Sequence, residues 1–282
     1  AGVVMRVDPK SYTVTRIPMP EGSGSVTAID PQDRLWLGGQ DRMTRYDPTT
    51  NEFTAYELPK PPRGVSGLNT VVVHPDGSVW GTQIMANRIF RLDPETRKVS
   101  FYAVPTEVPP RIVNGKRADT ERNPYGMAID SSQFIWFAQK STGKLGRIEP
   151  RSGEISEYVV PTREPDLRRM AADDRGNVWY AVYAGGGKLG MIDTRTGSIT
   201  EYPSPTRNSA VYAVSVDRTR HLIWVPEYFA DQIARFDPRA KTWIEYRVPS
   251  RNAGLRRIQV DPTRPGECLV CSLRGRRQAW YD

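Results

Sequence analysis

The chain of 282 residues is poor in the side chains that most often carry chemistry, with only two cysteines and two histidines. Two cysteines cannot build a disulfide framework. The pair Cys268-Leu-Val-Cys271 raises metal, redox and haem readings, and each lacks a component. No second pair completes a zinc site, the surrounding pattern is that of a strand rather than a helix start, and Ser272 stands where haem attachment needs histidine. Three residues apart on a strand, the two side chains face opposite sides, so both are expected to be small apolar groups in a packed sheet. The chain also has no run of about 18 apolar residues, which excludes a membrane-spanning helix. No basic-then-apolar leader is visible, and a start at Ala1 rather than Met suits a chain that has been processed.

Hydrophobic residues are scarce for this length, at 38%, whereas there are 24 prolines and 23 glycines. That mixture suits many short strands and turns better than long helices. The formal charge is +8, from 40 basic against 32 acidic residues. The basic residues are scattered through the chain instead of gathered on one helix or stripe, so no nucleic-acid partner is expected.

What the chain does have is one phrase said repeatedly. The segments AIDPQDRLW, VVHPDGSVW, AIDSSQFIW, AADDRGNVW and SVDRTRHLIW each run from a strand through a turn to tryptophan. A second phrase follows about a dozen residues later, as in LGRIEPRSGEISEYVVP and LGMIDTRTGSITEYPSP. Its tyrosines, Tyr56, Tyr102, Tyr158, Tyr202 and Tyr246, are spaced 46, 56, 44 and 44 apart. The long interval holds TEVPPRIVNGKRADTE, which reads as a charged surface loop. A period of about 44 residues with four short segments, A to D, predicts an all-β propeller of four-stranded antiparallel blades. Trp36, Trp80, Trp136, Trp179 and Trp224 share one position on strand B, where a large ring packs neighbouring sheets together. Pro59, Pro105, Pro161, Pro205 and Pro249 end strand D each time.

The two ends are partial units. Residues 1–20 match strands C and D, and residues 253–282 match strands A to C. Six blades would set two C strands in one slot, so seven blades in a single domain over 1–282 fit the register better. The partial units predict a natural chain that continues in at least one direction.

The phrases Gly-x-Val-Trp, Lys-Leu-Gly-Arg/Met-Ile and Glu-Tyr-x-x-Pro-Thr, written here as EYVVPT and EYPSPT after GKLG, resemble the virginiamycin B lyase (streptogramin lyase) family over nearly the whole chain. The resemblance implies seven blades and an exported bacterial protein, extracellular or periplasmic. It also implies an enzyme that opens a cyclic depsipeptide by elimination, using magnesium and histidines that precede strand A. Aligned on the aspartate that ends strand A, that slot holds Ser25, Asn69, Tyr125, Arg168, Tyr212 and Arg256, and none is histidine. Tyr212 and Arg256 stand where the family carries its histidine pair. His74 and His221 fall at A–B turns, on the face opposite the slot, and are expected to be turn residues.

Two functions follow from the slot. Tyr125, Arg168, Tyr212, Arg256 and Asn69, with Gln83 and Gln139 after the strand-B tryptophans and Glu227 late on strand B, could line a central funnel that binds a small anionic or peptide-like ligand or a protein partner. Lys140 would add a charge, and no cofactor is needed for this. Alternatively, Tyr125, Tyr212 and Arg256 could perform the elimination themselves, because a phenol surrounded by cations can serve as a base. In that case alone magnesium is expected, although Glu21, Asp166 and Glu227 show no spacing that gathers a metal site. A third class is an accessory subunit of a larger bacterial assembly. Pro124 and Gly126 in NPYGMAID are expected to shape the turn that presents Tyr125.

Overall fold

The computed structural model describes residues 2–8, 10–62, 65–106, 123–261 and the backbone alone of 111–113, 116–118, 268–272 and 277–280. All regular structure among these residues is β-strand, and no helix there is long and apolar enough to cross a membrane. The described strands include five four-stranded antiparallel sheets in which strands A to D follow one another in chain order. Sheet I comprises Val26–Ile29, Leu35–Gly38, Arg42–Asp47 and Glu52–Glu57. Sheet II comprises Leu68–Val73, Val79–Gln83, Arg88–Leu92 and Val99–Ala103. Sheet III comprises Met127–Ile129, Ile135–Gln139, Lys144–Ile148 and Ile155–Val159. Sheet IV comprises Leu167–Ala172, Asn177–Val182, Lys188–Asp193 and Ile199–Pro203. Sheet V comprises Ser215–Asp217, Leu222–Glu227, Gln232–Asp237 and Thr242–Arg247.

The ends form a two-stranded hairpin, Val3–Val7 with Val14–Pro18, and a three-stranded sheet of Leu255–Val260, Cys268–Ser272 and Arg277–Trp280. The side chains of Cys268 and Cys271 lie outside the described residues. The presumed surface loop contains a short hairpin, Arg111–Val113 paired with Lys116–Ala118. The Asn-Gly dipeptide between those strands is the sequence signal for such a pairing, and the charge of the segment masked it.

The chain divides into two compact units, Ala1–Ala103 and Val104–Asp282. In the first, strand A of sheet I lies against strand A of sheet II. In the second, the A strands of sheets III, IV and V and of the C-terminal sheet contact one another in succession, lining a cavity of about 460 Å³. This is β-propeller architecture.

Three repeated devices explain the repeated phrases. The first ties the aspartate that ends strand A to the buried strand-B tryptophan. Trp36, Trp136 and Trp179 donate their indole N–H to Asp30, Asp130 and Asp173 at 3.0, 2.7 and 2.8 Å. In sheet II His74 holds the aspartate's place, and Trp80 donates to Ser78 Oγ at 2.9 Å instead. In sheet V the turn Asp217-Arg-Thr-Arg-His-Leu-Ile-Trp224 carries one residue more. Trp224 Nε1 and Asp217 Oδ2 are both buried there without a hydrogen-bond partner among the described residues. His221 is left-handed at φ 57°, as Asp33, Gly77, Gln133 and Gly176 are in the other A–B turns, and lies 3.7 Å from Asp174. Buried His74 lies 2.8 Å from Asp76, so both histidines belong to A–B turns.

The second device explains Lys-Leu-Gly. Phe137 and Tyr180 on strand B face Gly146 and Gly190 on strand C, and an added Cβ at either glycine would sit 2.0 Å from the ring. The third joins consecutive sheets. Thr162, just past strand D of sheet III, donates its hydroxyl to Glu201 in strand D of sheet IV. Lys188 Nζ lies 2.6 Å from that hydroxyl and 3.3 Å from the carboxylate. Thr206 and Glu245 repeat the set between sheets IV and V, with Gln232 in place of lysine, and Thr106, Glu157 and Lys144 form the same set inside the second unit.

The turn from strand D back to strand A is the one that presents side chains. Two residues before the slot, Gly67, Asp166, Ala210 and Gly254 are left-handed, with φ of 58, 45, 58 and 58°. Before Tyr125 the corner is made instead by a cis Asn123–Pro124 bond. Gly126 has no positive φ. An added Cβ there would lie 2.4 Å from the Arg168 carbonyl oxygen and 2.7 Å from Arg169 Cα, so Gly126 lets adjacent A strands approach.

Two stability measurements test these devices. In urea titrations Trp136→Phe should cost about 1–2 kcal/mol more than Trp224→Phe, because only the first loses an indole hydrogen bond. Equal losses would mean that the bond adds nothing. Gly126→Ala should lower stability by about 1–3 kcal/mol through overpacking, and an unchanged midpoint would contradict the close approach.

Candidate functional site

Four successive D–A corners of the second unit deliver Tyr125, Arg168, Tyr212 and Arg256, and the structure brings these side chains together. The phenol oxygens of Tyr125 and Tyr212 are 2.6 Å apart, with the rings edge to face at a centroid distance of 6.5 Å. Arg168 sits among three tyrosine rings, 5.1 Å from Tyr125, 4.5 Å from Tyr183 and 5.1 Å from Tyr212. Arg256 lies 5.4 Å from the ring of Tyr212 and 5.7 Å from that of Tyr228. Backbone bonds hold the corners: Tyr125 N–H donates to Ala138 O at 2.8 Å, and Tyr212 N–H to Pro226 O at 3.2 Å.

The other half of the cluster comes from the B–C loops. Tyr183 and Tyr228 each stand four residues after the strand-B tryptophan, and Phe229 is next. Tyr183 meets Tyr212 at 5.6 Å, Tyr228 at 5.8 Å and Phe229 at 5.8 Å, while Tyr228 stacks on Tyr212 at 5.8 Å. The alternating direction of antiparallel strands makes this meeting possible, since D–A and B–C connections emerge at the same end. The slot alignment alone missed these aromatics, and counting four residues past each tryptophan would have found Tyr183 and Tyr228. Arg169 is the further missed member, 5.5 Å from the Tyr125 ring.

Charge sets the two phenols apart. Burial, the largest influence on Tyr125, pushes its pKa up, but the Tyr212 hydrogen bond and the Arg169 and Arg168 guanidiniums outweigh it and hold it below the ordinary value. Tyr212 is pushed up to about 12 by burial, by its hydrogen bond to Tyr125 and by the charge of Tyr125. Burial and neighbouring Arg257 bring Arg169 down to about 10. For Arg168 burial opposes the charge, yet Asp166, Tyr125 and Tyr212 hold its pKa above the ordinary value. Asp166 is 2.8 Å from Arg168 and 3.0 Å from Lys140, which places Lys140 at the edge of the cluster.

Three residues expected to line the funnel are spent elsewhere. Gln139 is fully buried, bonded to Asn123 at 3.1 Å and to Glu157 at 2.6 Å. Gln83, equally buried, accepts a hydrogen bond from Arg88. Glu227 is buried between Ser204 and Gln232, and burial raises its pKa. All three sit three residues past the tryptophan, at the buried end of strand B, and the B–C connection starts at the next residue. Asn69 and Gln83 belong to the first unit, where the Asn69 carbonyl accepts from the Thr70 hydroxyl at 3.2 Å.

The magnesium that the family resemblance implies does not fit these residues. The donors here are phenols and guanidiniums, and Asp166 is already bridged by two cations. Among the described residues, no three His, Cys, Asp or Glu side chains gather to hold a metal.

Comparison with known proteins agrees with the fold. A streptogramin B lyase structure aligns with a TM-score of 0.80 at 24% identity, covering 96% of this chain and 83% of that one. A catalytically inactive virginiamycin B lyase from Staphylococcus aureus with quinupristin aligns at 0.80 and 21% identity, covering 96% and 84%. Hydrazine synthase of Kuenenia stuttgartiensis aligns at 0.78 with 11% identity, covering 99% and 89%. At such identities the likeness is one of fold. No curated protein matches the chain. The virginiamycin B lyase family model matches residues 1–264, and the chain belongs to that family.

Proposed function

We propose that this propeller is a binding module that takes an anionic small molecule or peptide end at the tyrosine–arginine cluster. The observation that carries the reading is the convergence of Arg168, Arg169 and Arg256 on the Tyr125–Tyr212 pair, with Asp166 beside Arg168. Such a cluster attracts anions, and guanidinium forks and phenols offer the directional donors that fix them. The histidines implied for the lyase reaction have no counterpart in the slot, so binding is favoured over turnover. Isothermal titration with inorganic phosphate should give saturable binding that weakens with added salt. Arg256→Ala should weaken it by roughly tenfold or more. Binding that this variant leaves unchanged would rule the cluster out.

The split between the phenols favours one second reading. Two groups whose environments drive their pKa values apart are natural acid–base partners. A Tyr125 phenolate could take the proton from the carbon next to the one bearing the ester oxygen, so that a C=C bond forms as the C–O bond breaks, while Arg256 steadies the departing carboxylate. Incubation with quinupristin and magnesium tests this, since turnover abolished in both Tyr125→Phe and Arg256→Ala would overturn the binding reading.

The pair also predicts a pH response. Tyr125 has a depressed folded pKa, so its ionisation adds stability as pH rises from that pKa towards the ordinary tyrosine value. Tyr212 is raised and opposes folding above the ordinary value. In phenolate absorbance one tyrosine should ionise before the rest. Tyr125→Phe should remove that phase, Tyr212→Phe should move it to higher pH, and a single common titration would contradict the split.

A further inference from the structure

We infer that the ligand of this site is a planar aromatic monocarboxylate, with its carboxylate in the fork of Arg256 and its ring against Phe229. The inference rests on the anion-binding reading above and narrows it.

The three guanidiniums of the cluster are not equally available. Arg168 is engaged by Asp166 and enclosed by three tyrosine rings. Arg169 lies deeper, half-buried beside Tyr125. Arg256 is exposed, and among the described residues it forms no hydrogen bond or ion pair. Its contacts are with the rings of Tyr212 and Tyr228, which steady the guanidinium plane and leave its N–H edge for a ligand. A planar fork of N–H donors matches a carboxylate through two parallel bonds. A single open fork suits a ligand with one anionic group better than a polyanion.

Beside it stands an aromatic ring that the fold holds open to water. Phe229 is 67% exposed, yet it is not loose. Its N–H donates to Ser209 O at 3.0 Å, and its ring meets Tyr228 edge to face at 4.9 Å and Tyr183 at 5.8 Å. A lone exposed phenylalanine would call for no explanation. Here, however, Tyr228 touches both Phe229 and Arg256, so one small molecule spans the fork and the exposed ring. Stacking on a ring that is already fixed adds affinity at little entropic cost.

The test is a titration of the full chain with sodium benzoate, sodium acetate and benzyl alcohol, followed by calorimetry or by chemical shifts. Benzoate should bind about three- to tenfold more tightly than acetate, the worth of one aromatic contact. Benzyl alcohol, which keeps the ring and lacks the charge, should bind more weakly than benzoate. Phe229→Ala should bring benzoate down to the acetate level and leave acetate unchanged. Arg256→Ala should abolish binding of both anions, and Arg256→Lys, which keeps charge without the fork, should recover only part. Thermal unfolding of these surface variants should match the parent, which separates lost binding from lost folding. Equal affinity for benzoate and acetate, a benzoate preference that survives Phe229→Ala, or benzyl alcohol matching benzoate would each overturn the inference. Phosphate binding without a benzoate preference would defeat this inference alone. Absence of binding by every anion would defeat the anion-binding reading with it.

Discussion

The hydrogen bond from the threonine after strand D to the glutamate of the next sheet is the interaction on which the second unit depends. It is made at Thr106 with Glu157, at Thr162 with Glu201 and at Thr206 with Glu245. A hydrogen bond to a charged acceptor contributes about 1.5–3 kcal/mol, more than a neutral one. Lys144 and Lys188 strengthen two of these bonds by bringing a cation to the same carboxylate. At Glu157 burial alone would raise the carboxyl pKa, and Thr106, Gln139 and Lys144 together reverse the shift. The glutamate therefore keeps its charge in a half-buried place because three partners bond to that charge. In sheet II the glutamate position holds Phe101, and Arg88 lies over that ring at 3.7 Å. A cation and an acceptor face are retained although the chemistry differs.

This bond sets the site by position. Thr162 and Thr206 each stand six residues before a slot residue, Arg168 and Tyr212. The latch pins the end of strand D, a left-handed residue reverses the chain at Asp166 or Ala210, and strand A then starts with its side chain aimed at the cluster. Between Thr106 and Tyr125 the longer connection breaks that count, and the cis Asn123–Pro124 bond and Gly126 make the corner in another way. Different local solutions thus deliver equivalent side chains to one place. The tyrosine–arginine cluster is a product of backbone placement first and of residue choice second.

Much of this was legible in the sequence because it repeats. The period gave the strands, the tryptophans gave the packing position, and alignment of the corners brought Tyr125, Arg168, Tyr212 and Arg256 to one level. What stayed hidden depends on direction rather than on position. Gln139 and Glu227 are the last residues of their B strands and are buried, whereas the cluster draws on the B–C connections that start one residue later. Tyr183, Tyr228 and Phe229 lie in B–C loops of unequal composition, where the repeat fades. The failed indole latch of sheet V was visible as one extra residue in RTRHLIW, but only the geometry shows that two buried polar atoms are left unmatched.

The fold leaves the chemistry open, since chains similar to a streptogramin B lyase and to hydrazine synthase share it. What decides function is which side chains occupy a slot that the latch holds in place whatever stands there. Where the family resemblance implies imidazoles, this slot holds phenols and guanidiniums, which do not offer a divalent cation the same ligands. A guanidinium beside Tyr125 cannot coordinate metal, and three of them raise the local positive potential for any cation that approaches. The same guanidiniums hold the Tyr125 pKa down, and on the proposed reading they are what an anion would meet. On the proposed reading, the poor fit for a metal and the fit for an anion come from the same residues, the guanidiniums gathered around Tyr125 and Tyr212, with nothing asked of the scaffold beneath them.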